Sequence, residues 1–284
     1  MPGSRRRPAP AAADRTRPPV PTGRAATADR YELYHLAVQA PDEEVAFLRQ
    51  MYQDRRGRQP RHLREDFSGT ALVATEWVRQ GKGFSAEAYD IDPEVFDWAH
   101  RHHVGELGRT EAARLKLRLE DVRTPSLRPP DVRCAENFSY FLLMRRGEML
   151  DYFSGVRRDL APGGIFVIDA WGGDRATDPV SEERKLPGGV TYVWQQKSYV
   201  PVTGEMECAI HFRFRDGSAL EDAFRYTWRF WTLPELRDLL FDAGFASVDA
   251  YFEDFDAKGN GTGLFSKGTG PVDASYLAYL VAAR

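Results

Sequence analysis

Residues 62–93 constrain the fold more than any other stretch of this chain. They read His62-Leu63-Arg64-Glu65-Asp66-Phe67-Ser68-Gly69-Thr70-Ala71, then an amphipathic run to Gln80, a Gly81-Lys82-Gly83 turn, and Phe84 to Pro93 ending in Asp90-Ile91-Asp92-Pro93. Leu72, Val73, Glu76, Trp77 and Val78 recur at mostly helical spacing, which predicts strand, tight turn, a helix starting near Ser68 or Thr70, turn and strand. Two parallel strands joined by a right-handed helical crossover are the expected product. A ligand of such a unit lies beyond the carboxyl ends of the strands. Gly69 would let the backbone approach it, and Asp90 is placed to accept hydrogen bonds from ribose hydroxyls. Taken alone, one glycine is equally the mark of an ordinary turn.

The rest of the chain extends this unit. Pro41-Asp42-Glu43-Glu44 and Pro93 open helices, with acids in the first turn. Residues 113–119 alternate as a third strand, residues 131–137 form a fourth with Asn137-Phe138-Ser139-Tyr140 at its tip, and the apolar residues 165–170 form a fifth, buried on both faces. Three strand-like runs follow, at 191–200, 206–215 and 222–231, separated by turn sequences. They predict an antiparallel insertion within 171–231 that must pack on the main body. A helix from Thr232, strands at 246–253 and 275–282, and a glycine-rich loop at 258–270 complete the chain.

Bulk properties narrow the function classes. The 284 residues are 42% hydrophobic and 12% aromatic, enough for a large core, and the net charge of −3 argues against a general nucleic-acid binder. Residues 1–28, rich in Pro, Ala and Arg, are expected to be a disordered tail before a domain at 29–284. Cys134 and Cys208 have no metal-ligand or disulfide-framework spacing, so a reducing cytoplasm is the expected compartment. No apolar run is long enough to span a membrane. His100-Arg101-His102-His103 point to different sides of a helix and are not expected to hold a metal.

The order of these pieces resembles the class I S-adenosylmethionine-dependent methyltransferases, over residue 30 to the C-terminus. Residues 63–71 resemble the family's first motif, with Glu65 as its acid and Gly69 as its central glycine. Ala88-Tyr89-Asp90-Ile91-Asp92-Pro93-Glu94 resembles the second, Glu120-Asp121-Val122 the third, and Leu160-Ala161-Pro162-Gly163-Gly164 the turn before the fifth strand. Phe67 and Ala71 stand where the family has flanking glycines. The resemblance implies a Rossmann-like α/β fold: a seven-stranded sheet, helices on both faces, an antiparallel last strand, and the β insertion after the fifth strand. It implies S-adenosyl-L-methionine as cofactor, held by Tyr34, Glu65, Phe67, Gly69, Thr70, Asp90, Ile91, Asp121, Val122 and Asn137. The insertion resembles that of small-molecule N-methyltransferases, in which such strands cover the substrate, and Tyr31 and Tyr34 resemble the tyrosines of a closing N-terminal segment.

Methyl transfer from a sulfonium to a nitrogen or oxygen of a small molecule is then the expected activity. It is an in-line displacement that needs orientation and, for some acceptors, a base, but no metal. His211, Tyr140 and Asn137 are the catalytic candidates: His211 as a base in the middle inserted strand, the other two at the tip of the fourth strand. The favoured reading of His211 is nonetheless a structural or exposed strand histidine. The alternatives are an RNA or protein methyltransferase, a cofactor-binding protein without catalysis, and a nucleotide-binding dehydrogenase, which would usually carry three glycines in the turn. The inserted sheet is expected to form the acceptor pocket, with a homo-oligomer interface as its other possible use.

Overall fold

The structure is a computed structural model, and it describes residues 20–256, 261–270 and 275–284. Its elements run in chain order as α1 (Arg30–Val38), α2 (Pro41–Arg56), β1 (His62–Asp66), α3 (Leu72–Arg79), β2 (Ser85–Asp90), α4 (Pro93–His102), α5 (Arg109–Ala112), β3 (Leu115–Leu119), β4 (Val132–Ala135), α6 (Arg146–Asp159) and β5 (Ile165–Gly172). Next come β6 (Val180–Leu186), β7 (Val190–Val200), β8 (Glu205–Phe214), β9 (Ala219–Arg229), α7 (Leu233–Asp242), β10 (Ser247–Phe255), β11 (Gly261–Lys267) and β12 (Tyr276–Ala283).

The main sheet has the order β11-β10-β12-β5-β4-β1-β2-β3. Strands β3, β2, β1, β4 and β5 pair in parallel, whereas β12 pairs antiparallel with both β5 and β10. From β1 the chain passes to β2 and β3 on one side and then crosses to β4 on the other. A crevice therefore opens at the carboxyl ends of β1 and β4, where open α/β sheets bind ligands. The expected antiparallel last strand is present as β12. The sheet has one strand more than the seven expected, because β11 pairs with β10 inside the segment read as a glycine-rich loop; residues 258–260 of that segment lie outside the described residues.

The insertion after β5 is a separate antiparallel sheet in the order β6-β7-β8-β9. It has four strands rather than three. The extra strand, β6, is exposed over all but its last residue and carries Glu182, Glu183, Arg184 and Lys185, so it has no apolar alternation to reveal it. Buried residues of β8 and β9 and the half-buried Leu33, Tyr34 and Val38 of α1 share one core, so the insertion and the N-terminal helix cover the crevice together.

Part of the segment expected as a tail is described. A short turn at Gly23–Ala26 packs against the β8–β9 hairpin: the Arg24 N–H donates to Asp216 Oδ2 (2.9 Å), the Ala25 N–H donates to Ser218 Oγ (3.2 Å), and Ala25 is buried. Residues 23–26 of the expected tail therefore pack on the folded body, and residues 1–19 lie outside the described residues. These anchors sit about 190 positions away in sequence, out of reach of a reading based on local composition.

One buried network holds the centre of the sheet. Asp66 accepts from Arg64 Nε (2.7 Å), Arg133 Nε (2.6 Å) and the Tyr152 hydroxyl (2.6 Å), with Arg64 and Arg133 both buried between sheet and α6. Arg133 also pairs with Asp159 at 2.9 Å. Both arginines donate to the Val122 carbonyl, and Arg64 to that of Thr124, so charge in the core fixes the loop that follows β3.

Candidate active site

The turn from β1 to α3 keeps the backbone of a glycine-rich loop with only one glycine in it. Phe67, Gly69 and Ala71 have φ of 51°, 51° and 57°, all in the left-handed region. Gly69 meets this requirement without steric cost, and a Cβ built on it would touch nothing within 4 Å, so its face is open. Phe67 satisfies the same geometry with a ring that lies 5.9 Å from that of Tyr152. Left-handed backbone costs an L-residue about 1–2 kcal/mol. Ala71→Gly is therefore expected to stabilise the fold by about 1 kcal/mol after the extra chain entropy of glycine is subtracted. Urea denaturation checks this; a loss of stability would show that the Ala71 methyl, which is fully buried, contributes more than the strain costs.

Two acids fasten the turn. The Gly69 N–H donates to Asp90 Oδ2 (2.8 Å) and the Asp92 N–H to Asp90 Oδ1 (3.0 Å). Glu65 Oε2 accepts from the Ala74 N–H (2.9 Å) and so caps the first turn of α3 from inside the sheet. Burial raises the pKa of Asp90, and it lifts that of Glu65 well above the carboxylate range against the pull of the Ala74 hydrogen bond.

Over this turn lies α1. Asp29 caps it by accepting from the Tyr31 and Glu32 N–H groups, and Trp98 Nε1 donates to Asp29 Oδ2 at 2.7 Å. His35 Nε2 and Thr70 Oγ1 are 2.7 Å apart, which ties the helix to the turn; burial, reinforced by His103, lowers the His35 pKa to about 4, so the imidazole is neutral at pH 7. Beneath α1 is a cavity of about 160 Å³ walled by the turn (Glu65 to Thr70), by Glu136, Asn137 and Ser139 beyond β4, by Tyr31, Tyr34, His35 and Gln39 of the N-terminal segment, and by Val95, Phe224 and Tyr226.

A second cavity, of about 590 Å³, opens between the inserted sheet and the main body. Tyr192, Trp194, Gln196, Ile210, Tyr226 and Trp228 line it from the insertion, and Phe138, Trp171 and Tyr276 line it from the frame. Its rings form a continuous set: Tyr226 and Trp228 stack at 4.3 Å, Trp194 lies 6.2 Å from Trp228, and Phe138 lies 4.5 Å from Trp171. Tyr34, Asn137 and Tyr226 line both cavities. Burial raises the pKa of the Tyr34 and Tyr226 phenols, so both are protonated at pH 7.

Of the residues expected at the cofactor, Tyr34, Glu65, Phe67, Gly69, Thr70 and Asn137 wall the smaller cavity. Asp90 stands behind the turn, holding Gly69. Ile91 is exposed; Asp121 turns to Arg123 (2.5 Å), which lowers its pKa; Val122 is buried in the core, and none of these three reaches the cavity. Two catalytic candidates lie away from both cavities. Tyr140 is fully buried and donates to the Asp169 carbonyl at 2.6 Å, so its hydroxyl is consumed by the fold. His211 lines neither cavity: its Nδ1 accepts from the Asp222 N–H (2.9 Å) and lies 2.7 Å from Glu221, and its Nε2 meets Gln195 at 3.2 Å. The β8–β9 register shifts between Ile210 and Phe212, and Asp222 has a φ of 51°, so His211 staples a β-bulge.

Glu136, Gln39 and Tyr226 were not expected at the site. Tyr226 carried a signal, since Phe224, Tyr226 and Trp228 recur with period two; Glu136 carried one as an acid at the carboxyl end of a strand.

No family model and no curated protein matches the chain. Solved structures do resemble it. The CcbJ methyltransferase from Streptomyces caelestis is 18% identical, with a TM-score of 0.63 over 86% of this chain and 96% of its own. CalS10 with SAM bound, an amino pentose methyltransferase from Micromonospora echinaspora involved in calicheamicin biosynthesis, is 16% identical, with a TM-score of 0.64 over 90% and 97%. The sugar N-methyltransferase KedS8 from Streptoalloteichus sp ATCC 53650 is 16% identical, with a TM-score of 0.60 over 98% and 99%. At this identity the likeness establishes the fold.

Proposed function

From the fold of an S-adenosylmethionine-dependent methyltransferase and two cavities that share a wall, we infer that the chain transfers a methyl group from S-adenosyl-L-methionine to a nitrogen or oxygen of a small molecule. The observation that carries this reading is the shared wall: Tyr34, Asn137 and Tyr226 separate a cavity over the glycine turn from an aromatic one under the insertion. A donor and an acceptor placed on either side would meet there.

The residues that wall the smaller cavity suit such a donor chemically, and at about 160 Å³ the cavity would widen to take it whole. The open face of Gly69 admits close approach, and buried acids at the carboxyl ends of the strands suit a cationic ligand. Glu65, Phe67, Gly69, Thr70, Asn137, Glu136 and Tyr34 would hold it. When bound, S-adenosylmethionine supplies a methyl group on a positively charged sulfur. The protein orients the two partners, excludes water beneath α1 and the insertion, and presents the Asn137 amide and the Tyr34–Tyr226 phenols at the junction to fix the acceptor. Orientation of this kind is worth roughly 7–11 kcal/mol of barrier.

A cavity of about 590 Å³ walled by aromatic rings lies in the range of small-molecule pockets. Apolar ring faces on several sides suit an acceptor with apolar faces of its own, which agrees with neighbours named for sugars and an amino pentose. Incubation with methyl-labelled S-adenosylmethionine and a small-molecule cell extract tests the reading. Label appearing in a low-mass product supports it, whereas label entering only RNA or protein contradicts it.

A further inference from the structure

Three neighbouring strands each bring an acid to one face of the sheet at their carboxyl ends. Glu65 pairs in register with Cys134, and Cys134 with Val167. Side chains alternate along a strand, so Glu136 and Asp169, each two residues further on, lie on the same face as Glu65. Helix α2 packs on that face and adds Glu44. Asp169 accepts from the Asn137 N–H (2.7 Å) and the Phe138 N–H (3.0 Å), Glu65 from Ala74, and Glu44 from the Ala40 N–H (3.1 Å).

Glu136 differs from the others. It is 8% exposed, neither carboxylate oxygen has a hydrogen-bond partner, and it borders the smaller cavity. No ion pair joins any of the four acids to a basic side chain among the described residues. A buried carboxylate without a partner is costly, and retaining it at a cavity wall implies a ligand that meets it.

We propose that Glu136 is the counter-charge for a cationic group of the ligand in the smaller cavity and gives up its proton when that ligand binds. The proposal rests on the reading of S-adenosylmethionine as that ligand, whose sulfonium and ammonium outweigh its single carboxylate. In the free protein burial first, and then the neighbouring acids Glu44 on α2, Asp169 on β5 and Glu65 on β1, push the Glu136 pKa well above the carboxylate range. The remaining titratable groups around it bring no positive charge: His35 on α1 is neutral, and the Tyr34, Tyr279 and Cys134 side chains are kept protonated by burial. On binding, the Glu136 O–H bond breaks, its electron pair stays on the carboxylate, and the proton passes to solvent. Nothing is oxidised or reduced.

Calorimetric titration of S-adenosylmethionine into the full chain, in phosphate and in Tris at the same pH, counts the proton. The parent is expected to release close to one proton, and its affinity to rise by up to tenfold per pH unit while Glu136 is protonated in the free state. Glu136→Gln is expected to release about one proton fewer than the parent and to show a correspondingly shallower dependence of affinity on pH. Unchanged proton release in the variant, or none in the parent, overturns the proposal; failure of the parent to bind at all instead overturns the proposed function. Thermal unfolding gives a reading without ligand. An acid whose folded pKa is raised loses its proton first in the unfolded chain, so the parent loses stability as pH rises above the ordinary value of 4.5. The Tm advantage of Glu136→Gln is therefore expected to grow between pH 5 and 8, and a constant difference contradicts the buried, protonated state.

Discussion

Asp66→Ala is expected to destabilise the fold by about 3–5 kcal/mol, because it strands two buried guanidinium groups. Arg64 and Arg133 are 0% and 2% exposed, and Asp66 is the carboxylate that both contact through Nε. After its removal Asp159 is the remaining anion, 2.9 Å from Arg133 and 3.5 Å from Arg64. For a chain of this size the loss corresponds to a fall in Tm of roughly 10 °C. Urea denaturation of the variant and parent measures it, and a loss below about 1 kcal/mol would show that water reaches the network. The same arginines hold the Val122 and Thr124 carbonyls, so the variant is also expected to loosen the loop after β3.

Trp194→Ala is expected to separate acceptor from donor. Trp194 lines the larger cavity and not the smaller one, and it supports the Tyr226 and Trp228 rings at 6.3 Å and 6.2 Å. Truncating an aromatic anchor in a pocket costs about 1.4–2.8 kcal/mol, or roughly 10- to 100-fold in kcat/KM for the acceptor. Affinity for S-adenosylmethionine is expected to stay within about twofold. Acceptor kinetics and donor calorimetry on the same preparation check this, with Tm as the control for folding. Equal loss in both would mean that the two cavities work as one site.

The central βαβ unit was legible because its signals are local: apolar spacing, a turn residue and an acid at each strand tip, all within residues 62–93. The aromatic insertion was legible for the same reason, since Trp194, Tyr226 and Trp228 alternate along strands. Strands without an apolar face were not. The charged residues of β6 and the Gly261–Lys267 strand find their places through backbone pairing, which side-chain pattern does not encode. Alternation also fixes that a residue faces one side of a sheet without saying which side meets a cavity. His211 lies away from both cavities on that account, and the β8–β9 bulge gives its imidazole structural partners. Tyr140 stood near the right strand tip, but a 3-10 turn over Ser139–Leu142 swings it into the core. Glu136 was passed over because an acid in a strand is read against its neighbours, and the acids that matter here come from β1, β5 and α2.

The left-handed turn shows how a fold keeps a backbone when its usual residues are gone. Phe67 and Ala71 occupy conformations that glycine adopts freely. Their strain is held by Asp90 on the Gly69 N–H, by the Ser68 N–H on the Tyr89 carbonyl (2.9 Å), and by burial of Ala71 in the core.

A crystal structure of the chain grown with S-adenosylhomocysteine tests the central claim most directly. The account predicts the ligand in the smaller cavity, against the Gly69 turn and Glu136, with its sulfur directed at the junction of Tyr34, Asn137 and Tyr226. Ligand bound elsewhere, or seated with its sulfur turned away from the larger cavity, would contradict it.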